Sequence, residues 1–521
     1  MLSSGLVGAD NLRFIPSEPE VARSTAKDSG NTLVQVIFDD TLRVPDEIKA
    51  SVGVDHFGSI VYRRRTLLDA MRGLTEEVGW PPLIQMRDEA DLVALMESLR
   101  KEDDDPFYLI CPSHLVPRLT PEALATFLLQ IEHSPTPLYM FMEDGRGRRG
   151  WALMRGSMLR QFLAKHRDGE VVGYFEDNIE RFVTVYDRLP LIDLSDEPVL
   201  QEFLSGQFDA RHFNAVVRDR YTVVKRSQDR AKLKQEFEFY GRVPPVMQTF
   251  LVQPFDFEDD GAHASYRMER VGVPDVALQW VHHGIQADEF ERFLGHIFYF
   301  LSVRARREAA RSDCVAAGEF LYEEKVRRRI AELKAHADYP SLAPLLERAC
   351  GGIDALAERY FQMLHAAHRR THLDHLVIGH GDLCFSNIFY SKTIQYLKLI
   401  DPRGAVDGGD LHTDPYYDVA KLSHSIQGGY DFINHDKFEI AIDEDLRPRL
   451  RIENPAAAWA GELFQAELAK AGFDPALVRL YEASLFISML PLHIDRPRKV
   501  LAFAVNAVEI LDSLSTKRGA S

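Results

Sequence analysis

The stretch His380-Gly381-Asp382-Leu383-Cys384-Phe385-Ser386-Asn387 stands between two short apolar runs, 376–378 and 396–400, and the second run leads straight into Asp401. Short runs rich in Leu, Ile, Val and Tyr, bounded by polar turns, read as buried strands. The chain must therefore pass from a strand into a tight loop and return through a second strand, which brings Asp382, Asn387 and Asp401 to one end of a small sheet. Carboxylate and amide oxygens are the ligands that a hard cation such as Mg²⁺ accepts, and a carboxylate held in a loop is a candidate general base. A His-Gly-Asp tripeptide alone is only a turn. The Asn at a fixed offset, the flanking strands and the strand-terminal Asp make it a constellation.

The rest of the chain must supply a body around that loop. At 521 residues it exceeds what one core can serve, and about 100 to 200 residues per domain leads to two to four domains. Two large lobed units are the simplest count. Hydrophobic content of 45% and charged content of 27% suit a packed globular protein. No stretch reaches the roughly 18 to 20 uninterrupted apolar residues of a membrane span, and the N-terminus lacks the basic and apolar regions of a signal peptide. The expected compartment is the cytoplasm, where the scattered Cys111, Cys314, Cys350 and Cys384 would stay reduced; without a CxxC pair they form neither a disulfide framework nor a zinc site. A net charge of −17 repels a nucleic-acid backbone. The basic run 325–329 follows Glu323 and Glu324 in a helical pattern and reads as a solvated helix face.

Along the chain, residues 1–30 form a polar lead-in without period, expected to be poorly ordered. Residues 31–200 alternate strand patterns at 33–38, 107–111 and 137–142 with helical ones at 89–99 and 121–131, as an α/β layered domain does, and a mostly parallel sheet is expected. Past a boundary near 200, two strands at 215–217 and 221–225 are joined by a turn at 218–220. From Asp288 amphipathic helices dominate. Phe290, Phe293, Leu294, Ile297, Phe298 and Leu301 make one apolar stripe, which reads as core.

The spacing of Asp382 to Asn387 equals that of the catalytic-loop Asp and Asn of protein kinases, and Asp401 follows one hairpin later, where their metal-binding Asp would stand; the His-Gly-Asp form resembles the aminoglycoside phosphotransferase and choline kinase family over residues 213–515. The resemblance implies a bilobal protein-kinase-like α+β domain, with an N-lobe at 201–275 and a largely helical C-lobe at 276–521. It also implies an ATP- and Mg²⁺-dependent enzyme that phosphorylates a hydroxyl of a small amino alcohol, polyol or sugar. In it Asp382 is the catalytic base, and Asn387 and Asp401 are the metal ligands. Arg403, beside Asp401, either meets phosphate or pairs with a nearby carboxylate. The segment Asp414 to Leu422 resembles the D-x-x-x-D-[LIV]-A element of these kinases; Asp418 is expected to cap the following helix, with a bond to the loop backbone as a further role. Asp407, Asp410 and Asp414 either attract a cationic acceptor or form an acidic, solvent-facing loop.

Such a fold also needs a strand lysine and a helix glutamate that hold the nucleotide phosphates. Lys225, ending an apolar strand, and Glu236, on the helix that follows, are the chosen pair, with Lys232 and Glu238 as rivals. The segment 265–271 resembles the strand and hinge that bind adenine, which makes Glu269 and Val271 nucleotide contacts. The turn 218–220 lacks the glycines of a kinase phosphate loop, as aminoglycoside-type kinases often do. His493, Asp495 and Arg496 are candidates for the acceptor pocket or simple helix flanks.

The string from Gly145 to Gly150 matches G-x-G-x-x-G, but it comes late in its domain with arginines between the glycines, so an exposed hairpin or loop is expected rather than a dinucleotide site. Residues 31–200 resemble a nucleotidyltransferase joined to such kinases in bacterial proteins that decorate surface polysaccharide or lipid. That layout implies a place in cell-envelope biosynthesis. The nucleotide loop of that family is missing, since Phe38-Asp39-Asp40-Thr41-Leu42-Arg43 follows the first strand, so a degenerate docking or recognition domain is expected. Two other functional classes stand beside the kinase: a catalytically silent, pseudokinase-like scaffold, and a bifunctional enzyme that also transfers a nucleotidyl group.

Overall fold

The computed structural model describes residues 34–62, 65–99, 105–144, 147–167, 171–185, 189–205, 214–218, 221–371, 373–403, 410–443 and 447–519. The lead-in, the 219–220 end of the turn, Gly145, Arg146 and Asp407 lie outside them.

The first unit is built on a sheet whose strands run in the spatial order Ile84–Met86, Gln35–Asp39, Phe107–Pro112, Gly147–Arg155, Leu138–Asp144, Val183–Val185. Its faces are both covered, which explains why its strands read as continuous apolar runs. Val36, Phe38, Leu109 and Cys111 enter one core cluster, and Ile37, Tyr108 and Ile110 enter another on the opposite face. The sheet is mixed rather than mostly parallel. Gln35–Asp39 pairs in parallel with both its neighbours, but Gly147–Arg155 pairs antiparallel with both of its own. The cause is the hairpin that joins Leu138–Asp144 to Gly147–Arg155, with Asp144 opposite Gly147. The described part of the G-x-G-x-x-G string, Gly147 to Gly150, thus lies in a strand of that hairpin rather than at a strand-to-helix phosphate loop.

In the second unit four antiparallel strands run in the order Asn214–Arg218, Thr222–Ser227, Ala264–Glu269, Pro254–Asp259. The helix Arg230–Arg242 packs on them; the Asp229 carboxylate caps it by accepting the Lys232 N–H. Helices then predominate. In Ala287–Ser302 the stripe Phe290, Phe293, Leu294, Ile297, Phe298 and Leu301 is buried in the largest core cluster. Inside that helical body, Ile388–Ser391 and Tyr396–Leu399 form the hairpin that carries the loop of interest.

Among the described residues, one helix, Pro475–His493, is long and apolar enough to cross a membrane, which the sequence reading did not expect. Its residues are mostly buried within the protein. The face that would meet lipid is instead occupied by core, with Leu480, Tyr481, Leu485 and Phe486 in the main cluster.

The two units touch through the short helix Val276–Val281. Leu278 joins the first unit's core, and the Val61 N–H donates to His282 Nε2 at 2.7 Å. Gly53 lies so close that a Cβ there would sit 2.3 Å from the His282 carbonyl oxygen.

Candidate active site

Lys225 leaves the second strand of the four-stranded sheet opposite Tyr266 and turns its ammonium inward. It donates to Glu236 Oε2 at 2.7 Å and to Asp401 Oδ1 at 2.8 Å. A residue from the sheet, one from its helix and one from the C-lobe hairpin therefore meet at one nitrogen. Burial alone would drive the Lys225 proton off, but Asp401 and Glu236 outweigh it and hold the lysine charged. Burial, together with the neighbouring Asp401 carboxylate, moves Glu236 upward against the pull of Lys225 and Lys232. Of the rivals, Glu238 pairs with Lys234 on the solvent side, and Lys232, in the first turn of the helix, adds its charge to the surroundings of Glu236.

Asn387 and Asp401 are brought side by side by the hairpin. The register Ile388 opposite Leu399 continues one step outward, where the Ile400 N–H donates to the Asn387 carbonyl at 3.0 Å. The Asn387 amide nitrogen donates to the Asp382 carbonyl at 2.8 Å, which ties the two ends of the loop together. That orientation leaves the Asn387 side-chain oxygen for another partner. Asp401 has φ of 58°, a left-handed conformation uncommon for a residue with a Cβ. Strain of this kind persists where surrounding contacts fix the position. An amide oxygen beside a carboxylate is a hard-oxygen donor set that fits Mg²⁺.

Asp382 is held by two cations: Lys421 Nζ stands 2.9 Å from Oδ1, and Arg403 donates to Oδ2 at 2.9 Å. Burial pushes its carboxyl upward, but Lys421 and then Arg403 more than reverse this and hold it well below the usual carboxylate range. Of the two alternatives for Arg403, the structure contains the carboxylate pair. Arg403 can cross the loop there because Gly381, at φ of 79°, has no Cβ; one would lie 2.6 Å from Arg403 Cβ. His380, fully buried, accepts the Asp382 N–H on Nδ1 at 3.3 Å and so orders the loop.

Asp418 is not the cap of its helix. The helix Tyr417–Ile426 is preceded by Tyr416, and Asp418 sits inside its first turn. Its carboxylate accepts the backbone N–H groups of His380 at 2.9 Å and Gly381 at 2.8 Å. The N–H donors of a tight loop, not of a helix end, are what it satisfies.

Lys421, Lys325 and Arg304 were missed by the sequence reading. Lys421 had a signal: it stands three residues after Asp418 in a helix, which puts both on one face. Lys325 had none. The run it opens is otherwise the solvated face expected, with Arg327 on Glu323 and Arg328 on Glu332, yet Lys325 turns inward and donates to the Tyr417 hydroxyl at 2.6 Å.

Glu269 ends its strand exposed, while Val271 packs beside a small cluster of Val223, Val252, Met268, Phe389 and Ile400 that bridges the sheet and the hairpin. Between them lies a cleft of about 300 Å³, counted with the solvent at its mouth, lined by Glu236, Tyr266, Met268, Asp401 and Pro402 among others. Met268 and Tyr266 line it; Glu269 and Val271 do not. His493, Asp495 and Arg496 stand where the apolar helix turns into Pro497–Gly519, and Arg496 lies 3.7 Å from Asp436 and from Asp495. Asp410 pairs with Arg307, and Asp414 is buried against Tyr322.

No family model matches the sequence, and no curated protein matches it. Solved structures do. The chain is similar in fold to aminoglycoside phosphotransferases and to choline kinase. A thermostable mutant of aminoglycoside phosphotransferase APH(4)-Ia, in a ternary complex with AMP-PNP and hygromycin B, shares 12% identity at a TM-score of 0.34, over 60% of this chain and 98% of that one. Aminoglycoside-3'-phosphotransferase of type VIII shares 14% at a TM-score of 0.32, over 55% and 98%. Choline kinase from Cryptosporidium parvum Iowa II shares 12% at 0.27, over 62% and 94%. Likeness this remote is one of fold, and the site residues must speak for themselves.

In the first unit, Asp39 at the end of its strand bonds to Thr41 Oγ1 at 2.6 Å and lies 3.1 Å from His166 Nε2. Asp40 accepts the Gly58 N–H. Both carboxylates are therefore occupied by neighbours within the unit.

Proposed function

We propose that this protein is an ATP- and Mg²⁺-dependent phosphotransferase acting on a hydroxyl of a small molecule. The observation that carries the proposal is the meeting of Lys225, Glu236 and Asp401 at one point of the cleft, with Asp382 on the adjoining loop. In phosphoryl transfer the protein chiefly positions the reactants and stabilises charge. Asn387 and Asp401 would hold Mg²⁺, which supplies neutralising charge to the phosphate oxygens. Lys225, oriented by Glu236, binds nucleotide phosphate; with Asp401 engaged elsewhere, its second bond becomes available for that purpose. The apolar lining of the cleft, with Val252, Met268 and Ile400, receives adenine. Asp382 accepts the hydrogen bond of the acceptor hydroxyl and aims its oxygen at the terminal phosphorus. As the new O–P bond forms and the bond to ADP breaks, the hydroxyl proton passes to Asp382 and then to solvent. Because Asp382 is a weak base, it takes that proton late and works mainly by orientation.

The first unit serves in this proposal as a docking or recognition domain. The cytoplasm, with its reduced thiols, is the proposed compartment, and cell-envelope synthesis the proposed pathway class.

The test is twofold. MgATP should raise the thermal midpoint of the wild type, as any ligand of the native state does, and the effect should vanish in Asp401→Ala. ADP release should then be followed across candidate alcohols, with Asp382→Asn as the blank. Stabilisation by MgATP without turnover on any acceptor would favour a binding protein over an enzyme.

A further inference from the structure

The charges in the site are unevenly distributed, and the unevenness bears on the acceptor. At the nucleotide end, one cation, Lys225, faces two carboxylates, Glu236 and Asp401. That excess of negative charge suits a metal ion. At the other end, among the described residues, one carboxylate, Asp382, faces three cations: Arg403, Lys421 and Lys325. Lys421 and Arg403 bond to it directly. Lys325 donates to the hydroxyl of Tyr417, on the same helix as Lys421, and feels the charges of Lys421 and Arg403.

The other groups packed there offset the excess only in part. The Tyr417 phenol accepts from Lys325, and against burial the charges of Lys325 and Lys421 shift it downward. Burial pushes the Cys384 thiol up to about 12, so it carries no charge. Burial holds His424 neutral. Asp418 is consumed by Arg304, and Glu482 by Arg479. Asp431 is buried and is pushed up to about 7 by that burial, so it is at most partly ionised at neutral pH.

The three cations come from different elements: Arg403 stands two residues after Asp401 and bonds to Asp382, while Lys421 and Lys325 stand on the helices Tyr417–Ile426 and Lys325–Ala335. The neighbours of Lys421 are Asp382, Tyr417 and Cys384, on the C-lobe side of the base. Lys325 opens its helix directly after a π-helical turn, Phe320–Glu324, a local widening that tends to occur at functional sites. Two half-buried lysines beside a single carboxylate leave positive charge in excess, and an anionic group that joins them relieves it.

Resting on the kinase proposal, we infer that the phosphate acceptor is an alcohol that itself carries an acidic group, a carboxylate or a phosphate, bound by Lys421 and Lys325. A cationic amino alcohol or an aminoglycoside would be repelled from this end of the site. The acidic group anchors the molecule on the C-lobe side while its hydroxyl lies against Asp382.

A panel of ligands, with both binding and turnover measured, decides the point. Glycerate, gluconate, 3-phosphoglycerate and glucose 6-phosphate represent the two acidic classes; glycerol and glucose are neutral; choline and ethanolamine are cationic. Binding is followed by calorimetry on the full-length protein with and without AMP-PNP and Mg²⁺, so an acidic ligand can register even if turnover is never seen. At least one acidic compound should bind, and it should exceed its neutral counterpart by about 10-fold or more, as a buried charge pair allows. Whether the carboxylates or the phosphates bind tells the two sources apart. Lys421→Met should raise the KM or Kd of that compound about 10-fold and leave the KM for MgATP within about 2-fold, while Lys421→Arg should keep most of the discrimination. Lys325→Met serves the same purpose if Lys421→Met does not fold. Preference for a neutral or cationic alcohol, binding of no acidic compound, or a lysine variant that changes only the KM for MgATP would each overturn the inference. Loss of MgATP binding in the wild type would instead remove the kinase proposal and leave the acidic-ligand result standing as a binding property.

Discussion

Arg304 and Asp418 form an ion pair at 3.0 Å with side chains 3% and 1% exposed, and the same Asp418 carboxylate holds the backbone of the loop that carries Asp382. Arg304 is itself fixed by the Leu301 and Pro415 carbonyls. Breaking a buried pair strands the partner charge, at a cost of about 3 to 5 kcal/mol. Asp418→Ala should lose that much stability in urea unfolding and also lose turnover, whereas Asp418→Asn should keep part of both. An alanine variant with wild-type stability would refute the pairing.

Lys225 is the only described cation touching both Glu236 and Asp401. Lys225→Met should destabilise the protein by about 3 kcal/mol, because two carboxylates are left facing each other. Adding Glu236→Met should recover at least about 1 kcal/mol of that loss without restoring MgATP binding. Additive destabilisation in the double variant would show that the two side chains do not interact.

Asp382→Asn should reduce turnover about 10²- to 10⁴-fold, the range of a positioned base, with MgATP affinity nearly unchanged. The pH dependence follows from the direction of its shift. A carboxyl held below its unfolded value stays ionised at any pH above that value, so its ion pairs persist down to about pH 4 and weaken only as the pH falls further. The kcat/KM profile should therefore show no acid limb from Asp382 between about pH 5 and 8. A limb that disappears in Asp382→Asn would contradict the two-cation clamp.

His282 joins the two units as a neutral acceptor for Val61, and burial pushes its pKa down to about 3. The unfolded histidine binds a proton below about pH 6.5, so the folded state loses stability as the pH falls through that value. Between pH 7 and 5 the loss attributable to this one group is about 2 kcal/mol. The difference in unfolding free energy between wild type and His282→Gln, measured across that range, should shrink by this amount. A difference independent of pH would mean that His282 titrates normally.

Much of the site could be read in the chain because its parts are local. The offset from Asp382 to Asn387, and a strand ending on Asp401, are short-range facts, and a hairpin of that length leaves the backbone little choice. The pairing of Lys225 with Glu236 was also readable, since a strand followed directly by its packed helix limits which residues can meet. The apolar stripe of Phe290 to Leu301 announced its burial by period alone. The mixed character of the first sheet was not readable, because parallel and antiparallel strands buried on both faces have the same apolar look.

What the amino-acid order determined by itself is the gathering of Asp382, Asn387 and Asp401 on one loop and hairpin, since this depends on spacings of a few residues. Tertiary structure alone decided how Asp382 is charged and held. Its partners Lys421 and Arg403, the Asp418 that grips its loop, and the Lys325 behind them come from separate helices and loops, and electrostatic energy depends on distances through space, which no sequence spacing encodes.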